Sequence, residues 1–198
     1  MPFRRGLART ALKVTGWRVV GEIPTSGILV GAPHTSNWDW VATLALAWSV
    51  GVRPRVLVKK ELFEGPLAWL FRATGGIPVD RKHPGRLVER LAEEARRDPG
   101  FTIVLAAEGT RSKGEYWKSG FYRLAQQTGL PVALGFVDGP SRTMGFGPPL
   151  VVTGDVRADM DLVREFYADK RGIRPENRTE PRLREEERAA REEDPTTP

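Results

Sequence analysis

Two residues that can exchange a proton lie five positions apart in the segment Pro33-His34-Thr35-Ser36-Asn37-Trp38-Asp39. The apolar run 27–32 before it is typical of a buried strand, and the apolar run 40–48 after it is typical of a buried helix. His34 is therefore predicted in the turn between strand and helix, with Asp39 in the first turn of the helix. A carboxylate there can fix the imidazole tautomer and stabilise the imidazolium that forms when His34 takes a proton. The pair predicts a general base. The alternative is a capping histidine and an aspartate that only complements the helix dipole.

Further polar residues also come directly after predicted strands. They are Lys59, Arg81 and the run Glu108-Gly109-Thr110-Arg111. In sheets of parallel strands, ligands bind at the carboxyl ends of the strands, so we expect these residues to share one site with His34. The guanidinium groups of Arg81 and Arg111 can each make paired bonds to phosphate oxygens. For either arginine alone, the alternative is a surface ion pair.

Strands and helices alternate along the chain, which predicts an α/β fold with a largely parallel or mixed sheet flanked by helices. The Gly- and Pro-rich residues 139–149 are predicted to form a loop. The predicted strands are residues 17–20, 28–32, 55–58, 77–79, 101–105, 131–137 and 150–153. The predicted helices are residues 3–15, 38–50, 66–71, 84–97, 119–128 and 159–170.

The composition indicates one basic domain followed by a charged tail. The 198 residues are enough for a single domain with a substantial core, which we expect to span residues 1–173. Residues 174–198 hold six arginines and eight acidic residues with few apolar ones, so we expect a mobile tail. The whole chain carries a net charge of +6, and the tail contributes −2 of it. A basic body favours a phosphate-bearing partner.

The residue inventory excludes several kinds of chemistry. The chain has no cysteine, which excludes disulfides, thiolate metal sites and cysteine nucleophiles. With only two histidines, no metal site is expected. No apolar run approaches the roughly 20 residues that span a bilayer, and the N-terminus lacks the apolar core of a secretory signal.

Two segments have the character of a lipid-facing surface. Residues 1–15 form a basic amphipathic segment, which can lie on an anionic membrane. The alternative is a packed helix with a solvated basic face. Four tryptophans, Trp38, Trp40, Trp48 and Trp69, lie among further apolar residues and could line an acyl groove or touch the membrane. For any one of them, a place in the core is the commoner outcome.

Four blocks in this order resemble the glycerolipid acyltransferase family, which includes glycerol-3-phosphate and 1-acylglycerol-3-phosphate acyltransferases. The resemblance is closest to short bacterial members without transmembrane helices. The blocks have the family's order and similar spacings, and they cover residues 28–137. They are His34-x-x-x-x-Asp39, Gly76-Ile77-Pro78-Val79-Asp80-Arg81, Glu108-Gly109-Thr110-Arg111 and Leu130-Pro131-Val132. Ala107 replaces a frequent family proline, which should alter the entry to the loop more than the chemistry.

The resemblance implies transfer of a fatty acyl group from a thioester of CoA or acyl carrier protein to a hydroxyl group. The acceptor would be a glycerol-phosphate-like molecule or a lysophospholipid, and no cofactor is implied. His34 and Asp39 would supply the general base. Glu108 would bind an acceptor hydroxyl or orient Arg111. The acceptor's phosphate would be bound by Lys59, Arg81, Gly109, Thr110 and Arg111. We expect a cytoplasmic protein attached peripherally to the inner face of the cell membrane, with an anionic membrane surface as a partner.

Three other functions are weaker alternatives. A nucleic-acid-binding module would suit a pI near 10 and six tryptophans, but no helix-turn-helix, RNA-binding aromatic signature or zinc spacing is present, so no nucleic acid partner is expected. An inactive, acyltransferase-like lipid-binding or scaffold protein would not need an intact His34 and Asp39. A serine esterase would need a Gly-x-Ser-x-Gly elbow, which the chain lacks.

Overall fold

The computed structural model describes residues 2–22, 24, 26–50, 55–79 and 84–193. Within these ranges the strands are β1 (Arg18–Val20), β2 (Gly27–Gly31), β3 (Val56–Lys59), β4 (Gly76–Val79), β5 (Thr102–Ala106), β6 (Val132–Asp138) and β7 (Thr143–Leu150). The helices are α1 (Pro2–Val14), α2 (Trp38–Val50), α3 (Ala68–Ala73), α4 (Pro84–Arg97), α5 (Gly120–Thr128), α6 (Val156–Tyr167) and α7 (Arg184–Glu193). Two short 3-10 turns lie at Lys60–Phe63 and Pro175–Asn177.

The strands of these ranges form one sheet in the order β1-β7-β6-β2-β5-β3-β4. Strands β6, β2, β5, β3 and β4 are parallel, β7 is antiparallel to β6, and β1 is parallel to β7. This arrangement confirms the predicted α/β fold with a mostly parallel sheet flanked by helices. The five parallel strands end at the same edge, called the carboxyl edge below. Residues that follow these strands are therefore brought together there.

The core lies on both faces of β2, because Ile28 and Val30 are buried on one face and Leu29 on the other. On one face, α4, α5 and α6 supply residues such as Leu91, Phe121 and Tyr167 to the main cluster. The Tyr167 hydroxyl donates to the Gly135 carbonyl at 2.8 Å. Burial raises the pKa of Tyr167 well above its usual value, so the hydroxyl stays a neutral donor.

Helix α1 packs on α2 over the other face of the sheet. Leu12 of α1 joins a cluster with Leu46 of α2 and with Val137 and Met144 of the sheet, and Ala8 is also buried. The basic side chains Arg5 and Lys13 are exposed. The N-terminal segment is thus a helix that packs on the domain and leaves basic side chains exposed. Its contact with an anionic membrane stays a prediction.

Residues 143–150 contradict the prediction of a loop over residues 139–149 and of a strand over residues 150–153. Strand β7 spans residues 143–150. Its glycines are at positions where neighbouring residues approach too closely for a side chain. A Cβ on Gly145 would lie 1.8 Å from the Val20 carbonyl oxygen, and one on Gly147 would lie 2.3 Å from the Phe166 ring. Strand β1 pairs with residues 143–145, and among the described residues no strand pairs with the following prolines on that side of β7.

Most of the segment expected to be a mobile tail packs on the domain. Leu183 is fully buried, and α7 follows it. The Trp117 indole donates to the Thr179 carbonyl at 3.2 Å, and the Trp117 amide donates to the Arg182 carbonyl at 2.8 Å. The composition of residues 174–198 alone indicates disorder, but hydrogen bonds to main-chain carbonyls and the buried Leu183 hold this segment on the domain. Residues 172–183 are called the C-terminal strap below.

No helix in the described part of the chain is both long enough and apolar enough to cross a bilayer. The most apolar of the described helices, α2, has 13 residues. At about 1.5 Å per residue such a helix falls well short of the roughly 30 Å hydrocarbon core.

Candidate active site

The carboxyl edge brings together the residues that sequence reasoning placed after strands. His34 follows β2, Lys59 ends β3, and Glu108 to Arg111 follow β5. Strands β2 and β3 are the two neighbours of β5, and Gly31 pairs with Ala106 at the ends of their strands. The loops that carry these residues are therefore adjacent. Arg81 lies outside the described residues, so its predicted place in the site stays a prediction.

His34 and Asp39 form a close pair. Nδ1 of His34 lies 3.2 Å from Oδ2 of Asp39. The same oxygen accepts the amide of Ser36 at 2.7 Å, which holds the carboxylate in place. Asp39 is only 5% exposed, whereas the side chain of His34 is 21% exposed. The pair thus has a buried carboxylate behind a partly open imidazole, as a general base requires.

Ser36 has a structural part in this turn. Its Oγ accepts the amide of Trp38 at 3.2 Å, at the start of α2. The hydroxyl therefore caps one of the free amides of the helix N-terminus. The residue is a capping residue, in line with the absence of an esterase elbow in the sequence.

The second carboxylate oxygen of Asp39 is buried, and no hydrogen bond from the described residues reaches it. The carboxylate lies in the first turn of α2, where the helix dipole favours a negative charge. A buried anion with few partners interacts strongly with any cation beside it. An imidazolium on His34 would be that cation.

Glu108 lies behind the turn of His34 and is 2% exposed. Oε1 accepts the main-chain amide of His34 at 2.7 Å, and Oε2 accepts that of Thr179 at 3.3 Å. Burial raises the pKa of Glu108, and the bonds from His34 and Thr179 partly offset this rise. Its carboxylate therefore contacts the main chain at His34 and Thr179. The predicted contact of Glu108 with an acceptor hydroxyl or with Arg111 stays a prediction.

The described cationic residues of the site, Lys59 and Arg111, are open to solvent. Arg111 and Thr110 are exposed, and Lys59 is exposed with Nζ 3.8 Å from Glu61. An ion pair of this kind is worth little, so Lys59 is free to meet a bound anion. Gly109 has φ +68°, and a Cβ there would lie 2.9 Å from the Lys118 side chain, so the turn requires glycine.

The strap contributes contacts that sequence reasoning missed. The Arg174 amide donates to Oγ1 of Thr35 at 3.0 Å, and Nδ2 of Asn177 donates to the Thr35 carbonyl at 3.3 Å. These partners are 139 and 142 residues apart in the chain. No local periodicity or motif spacing reports a contact over such a distance.

The fold and this site define an α/β protein with a His34–Asp39 pair and surface cations at the carboxyl edge of its sheet. The family model described as Acyltransferase matches residues 16–133, which is more than half of the chain. The chain therefore belongs to the acyltransferase family, which confirms the glycerolipid acyltransferase family indicated by the four blocks. No curated protein gives a significant match to the chain. The matched range holds His34, Lys59 and Glu108 to Arg111, whereas the strap lies beyond it.

Proposed function

We propose that this acyltransferase moves a fatty acyl group from a thioester of CoA or acyl carrier protein to a hydroxyl of a glycerol-phosphate-like or lysophospholipid acceptor. The observation that carries the proposal is the pairing of His34 with the buried Asp39 at the edge that also bears Lys59 and Arg111. A base and exposed cations on adjacent loops suit an acceptor with a hydroxyl at one end and a phosphate at the other.

The proposed reaction needs one proton transfer at His34. Nε2 of the imidazole takes the acceptor's hydroxyl proton as the oxygen attacks the thioester carbonyl carbon. A C–O bond forms, the C–S bond breaks, and the leaving sulfur ends as a thiol once a proton returns to it. Asp39 stabilises the imidazolium formed in between. General-base help is worth about 100- to 10,000-fold, and the positioning of both substrates supplies much of the remainder.

The direct test of this function is consumption of an acyl thioester over a panel of acceptors. The panel holds glycerol 3-phosphate, lysophosphatidate, other lysolipids and sugar lipids. Thiol release that depends on one phosphate-bearing acceptor, with an acylated product by mass spectrometry, supports the proposal. Activity with none of them favours an inactive lipid-binding or scaffold protein.

Arg111→Ala is expected to lower kcat/KM for a phosphorylated acceptor by about 10- to 100-fold, because each charge-assisted bond to phosphate contributes roughly 1.5 to 3 kcal/mol. Arg111→Lys keeps the charge but loses the planar fork, so it should restore only part of the activity. We expect the same pattern for Arg81. Steady-state kinetics with varied acceptor measures both effects.

Two controls separate phosphate binding from the chemistry. Hydrolysis of the thioester by water involves no acceptor phosphate, so Arg111→Ala should leave that background rate largely intact. Arg96 is an exposed arginine at the end of α4, which leads to the opposite edge of the sheet, and Arg96→Ala should leave acyl transfer unchanged. Wild-type kcat and KM in the Arg111→Ala variant would show that the phosphate is bound elsewhere or is absent from the acceptor.

We propose further that the protein acts in the cytoplasm at the inner face of the cell membrane. Trp38 of α2 is 66% exposed and Trp69 of α3 is 65% exposed. The two helices abut, since the rings of Trp40 and Phe71 lie 5.8 Å apart. Exposed apolar side chains with tryptophan among them suit the interfacial layer of a bilayer, and the basic body suits anionic lipid. Val41, Leu62 and Leu67, in or next to these helices, are exposed apolar residues as well.

Replacing Trp38 and Trp69 together by alanine is expected to weaken binding to vesicles of anionic phospholipid by about tenfold or more, since each indole buries a large apolar area in the interface. Co-sedimentation measures the partition coefficient, and added salt should lower it further as surface charges are screened. Leu162 is an exposed apolar residue on α6, and Leu162→Ala is the matched control. Equal vesicle binding by the double variant and the wild type would exclude this surface as the membrane contact.

A further inference from the structure

We propose that the C-terminal strap, residues 172–183, is a positioning element for the catalytic base. It holds the main chain at His34 through Thr35 and Glu108. The inference rests on the proposed function, because it assigns to His34 the part of general base. The strap would act on the orientation of the imidazole and would contact neither substrate.

The first set of contacts lies directly after the base. Thr35 is 1% exposed, and both its hydroxyl and its carbonyl accept hydrogen bonds from the strap, from the Arg174 amide and the Asn177 side chain. Gly172 packs directly against Thr35. Its φ is +77°, and a Cβ at position 172 would lie 2.9 Å from Oγ1 of Thr35. The strap thus packs closely on the chain one residue beyond His34.

The second set of contacts lies directly before the base and passes through Glu108. The carboxylate bridges two main-chain donors, the amide of His34 and the amide of Thr179. The two donors meet different oxygens of Glu108, and an amide side chain has an acceptor oxygen at only one of these two positions. A glutamate is therefore the residue that can join the base to the strap. His34 is held by its own amide and by the residue that follows it.

The strap has anchors that do not involve His34. The hydroxyl of Thr179 accepts the Gly114 amide at 2.8 Å, and its carbonyl accepts the Trp117 indole. The guanidinium of Arg178 donates to the Tyr167 carbonyl at 3.0 Å, and the Gly139 amide donates to the Gly172 carbonyl at 3.0 Å. Because the strap is fixed to α6 and to the loops after β5 and β6, it can serve as a support for the turn of His34.

A support of this kind has a distinct kinetic effect. Misplacing a catalytic group by about 1 Å can cost about 100-fold in rate. Every reaction that uses His34 as base would be slowed alike, including hydrolysis of the thioester by water. Binding of the acceptor and of the thioester would be unaffected, since the strap residues are assigned no substrate contact.

Three substitutions test the two sets of contacts. Asn177→Asp places an acceptor against the Thr35 carbonyl, Glu108→Gln loses one of two acceptors, and Thr35→Val removes the hydroxyl at nearly constant volume. Each is expected to lower kcat for acyl transfer and for thioester hydrolysis together, by about 10- to 100-fold, with both KM values unchanged. Thr35→Ser keeps the hydroxyl and should restore most of the rate.

The matched control lies on α7, outside the strap. Glu185 pairs with Arg123 of α5 at 2.8 Å, and Glu185→Ala removes this docking contact without touching the turn of His34. This variant should keep the wild-type kcat. If this variant lost as much kcat as the strap variants, the losses would be explained by a less stable C-terminal segment. The strap would then have no specific effect on the orientation of His34. A variant of Glu108 that slows transfer but leaves water hydrolysis unchanged would instead place Glu108 on the acceptor hydroxyl, and would overturn the inference for that residue.

Amide hydrogen exchange gives a readout that is independent of activity. In the wild type the His34 amide should be protected, and Glu108→Gln should speed its exchange at least about tenfold while the amide of Ile103 in β5 is unaffected. Equal protection of His34 in both proteins would overturn the inference. If the wild type transfers no acyl group but His34 exchange responds as expected, the proposed function fails and the hold of the strap on His34 is upheld.

Discussion

Replacing His34 with alanine is expected to lower kcat for acyl transfer by about 100- to 10,000-fold, the range that general-base help contributes. The imidazole is the group at this edge of the sheet that pairs with a buried carboxylate, and water would have to take over the hydroxyl proton in its absence. The fold should persist, because the side chain is partly open to solvent and Asp39 keeps its bond from the Ser36 amide. Acyl transfer kinetics measure the loss of kcat, and the thermal unfolding midpoint shows whether the fold persists.

Two further measurements test whether the loss in the His34 variant comes from the missing base. Hydrolysis of the thioester by water should fall with acyl transfer, because both reactions need the same base. Added imidazole should restore part of the lost rate, since it supplies the missing base to the space left by the side chain. Near-normal turnover by a folded His34→Ala variant would rule out the mechanism.

Replacing Asp39 with asparagine is expected to lower kcat by at least about 100-fold, toward the loss of about 10,000-fold that the same change causes in the His–Asp pair of serine proteases. One oxygen of Asp39 now serves both the Ser36 amide and Nδ1 of His34. An amide oxygen in its place could keep both contacts, but it would be neutral beside the imidazolium. The side-chain nitrogen would also take the buried place of Oδ1. Steady-state kinetics with saturating acceptor measures the effect.

The stability of the Asp39 variant should change less than its activity. Burying an amide nitrogen without an acceptor costs about 1 to 3 kcal/mol, which chemical denaturation can measure. The combined His34→Ala and Asp39→Asn variant should be no slower than His34→Ala alone, because residues that act as one unit are not additive. Losses that multiply in the double variant would assign Asp39 a part that does not pass through His34.

The His34–Asp39 pair could be predicted because its geometry is local. A strand that ends just before His34 and a helix that begins at Trp38 place the carboxylate within reach of the imidazole, and both elements are evident in the apolar pattern. The placement of Lys59 and Arg111 after neighbouring parallel strands could also be predicted, since such strands end at one edge. These predictions need only the order of the elements and the direction of the strands.

Glu108 and β7 show where such reasoning ends. The contacts of Glu108 depend on Thr179, 71 residues further on, and nothing near either residue indicates the other. Glycines and prolines in residues 143–150 argue against a strand in isolation. The strand nevertheless forms, and its glycines stand where Val20 and Phe166 approach so closely that a side chain would not fit. Both features arise from tertiary packing, which overrides local propensity.

The order in which the chain is synthesised gives the C-terminal strap a consequence during biosynthesis. His34 and Asp39 emerge from the ribosome early. Arg174 and Asn177, which donate hydrogen bonds to Thr35, emerge 139 and 142 residues after Thr35. Every strand of the described sheet precedes residues 172–183 in the chain, so the sheet can begin to form before its support arrives. A nascent or truncated chain that lacks residues 172–183 is therefore expected to contain both His34 and Asp39, but in a turn that the strap does not support. Such a chain would consume few acyl thioesters, and the cell's pool would be spared until synthesis is complete.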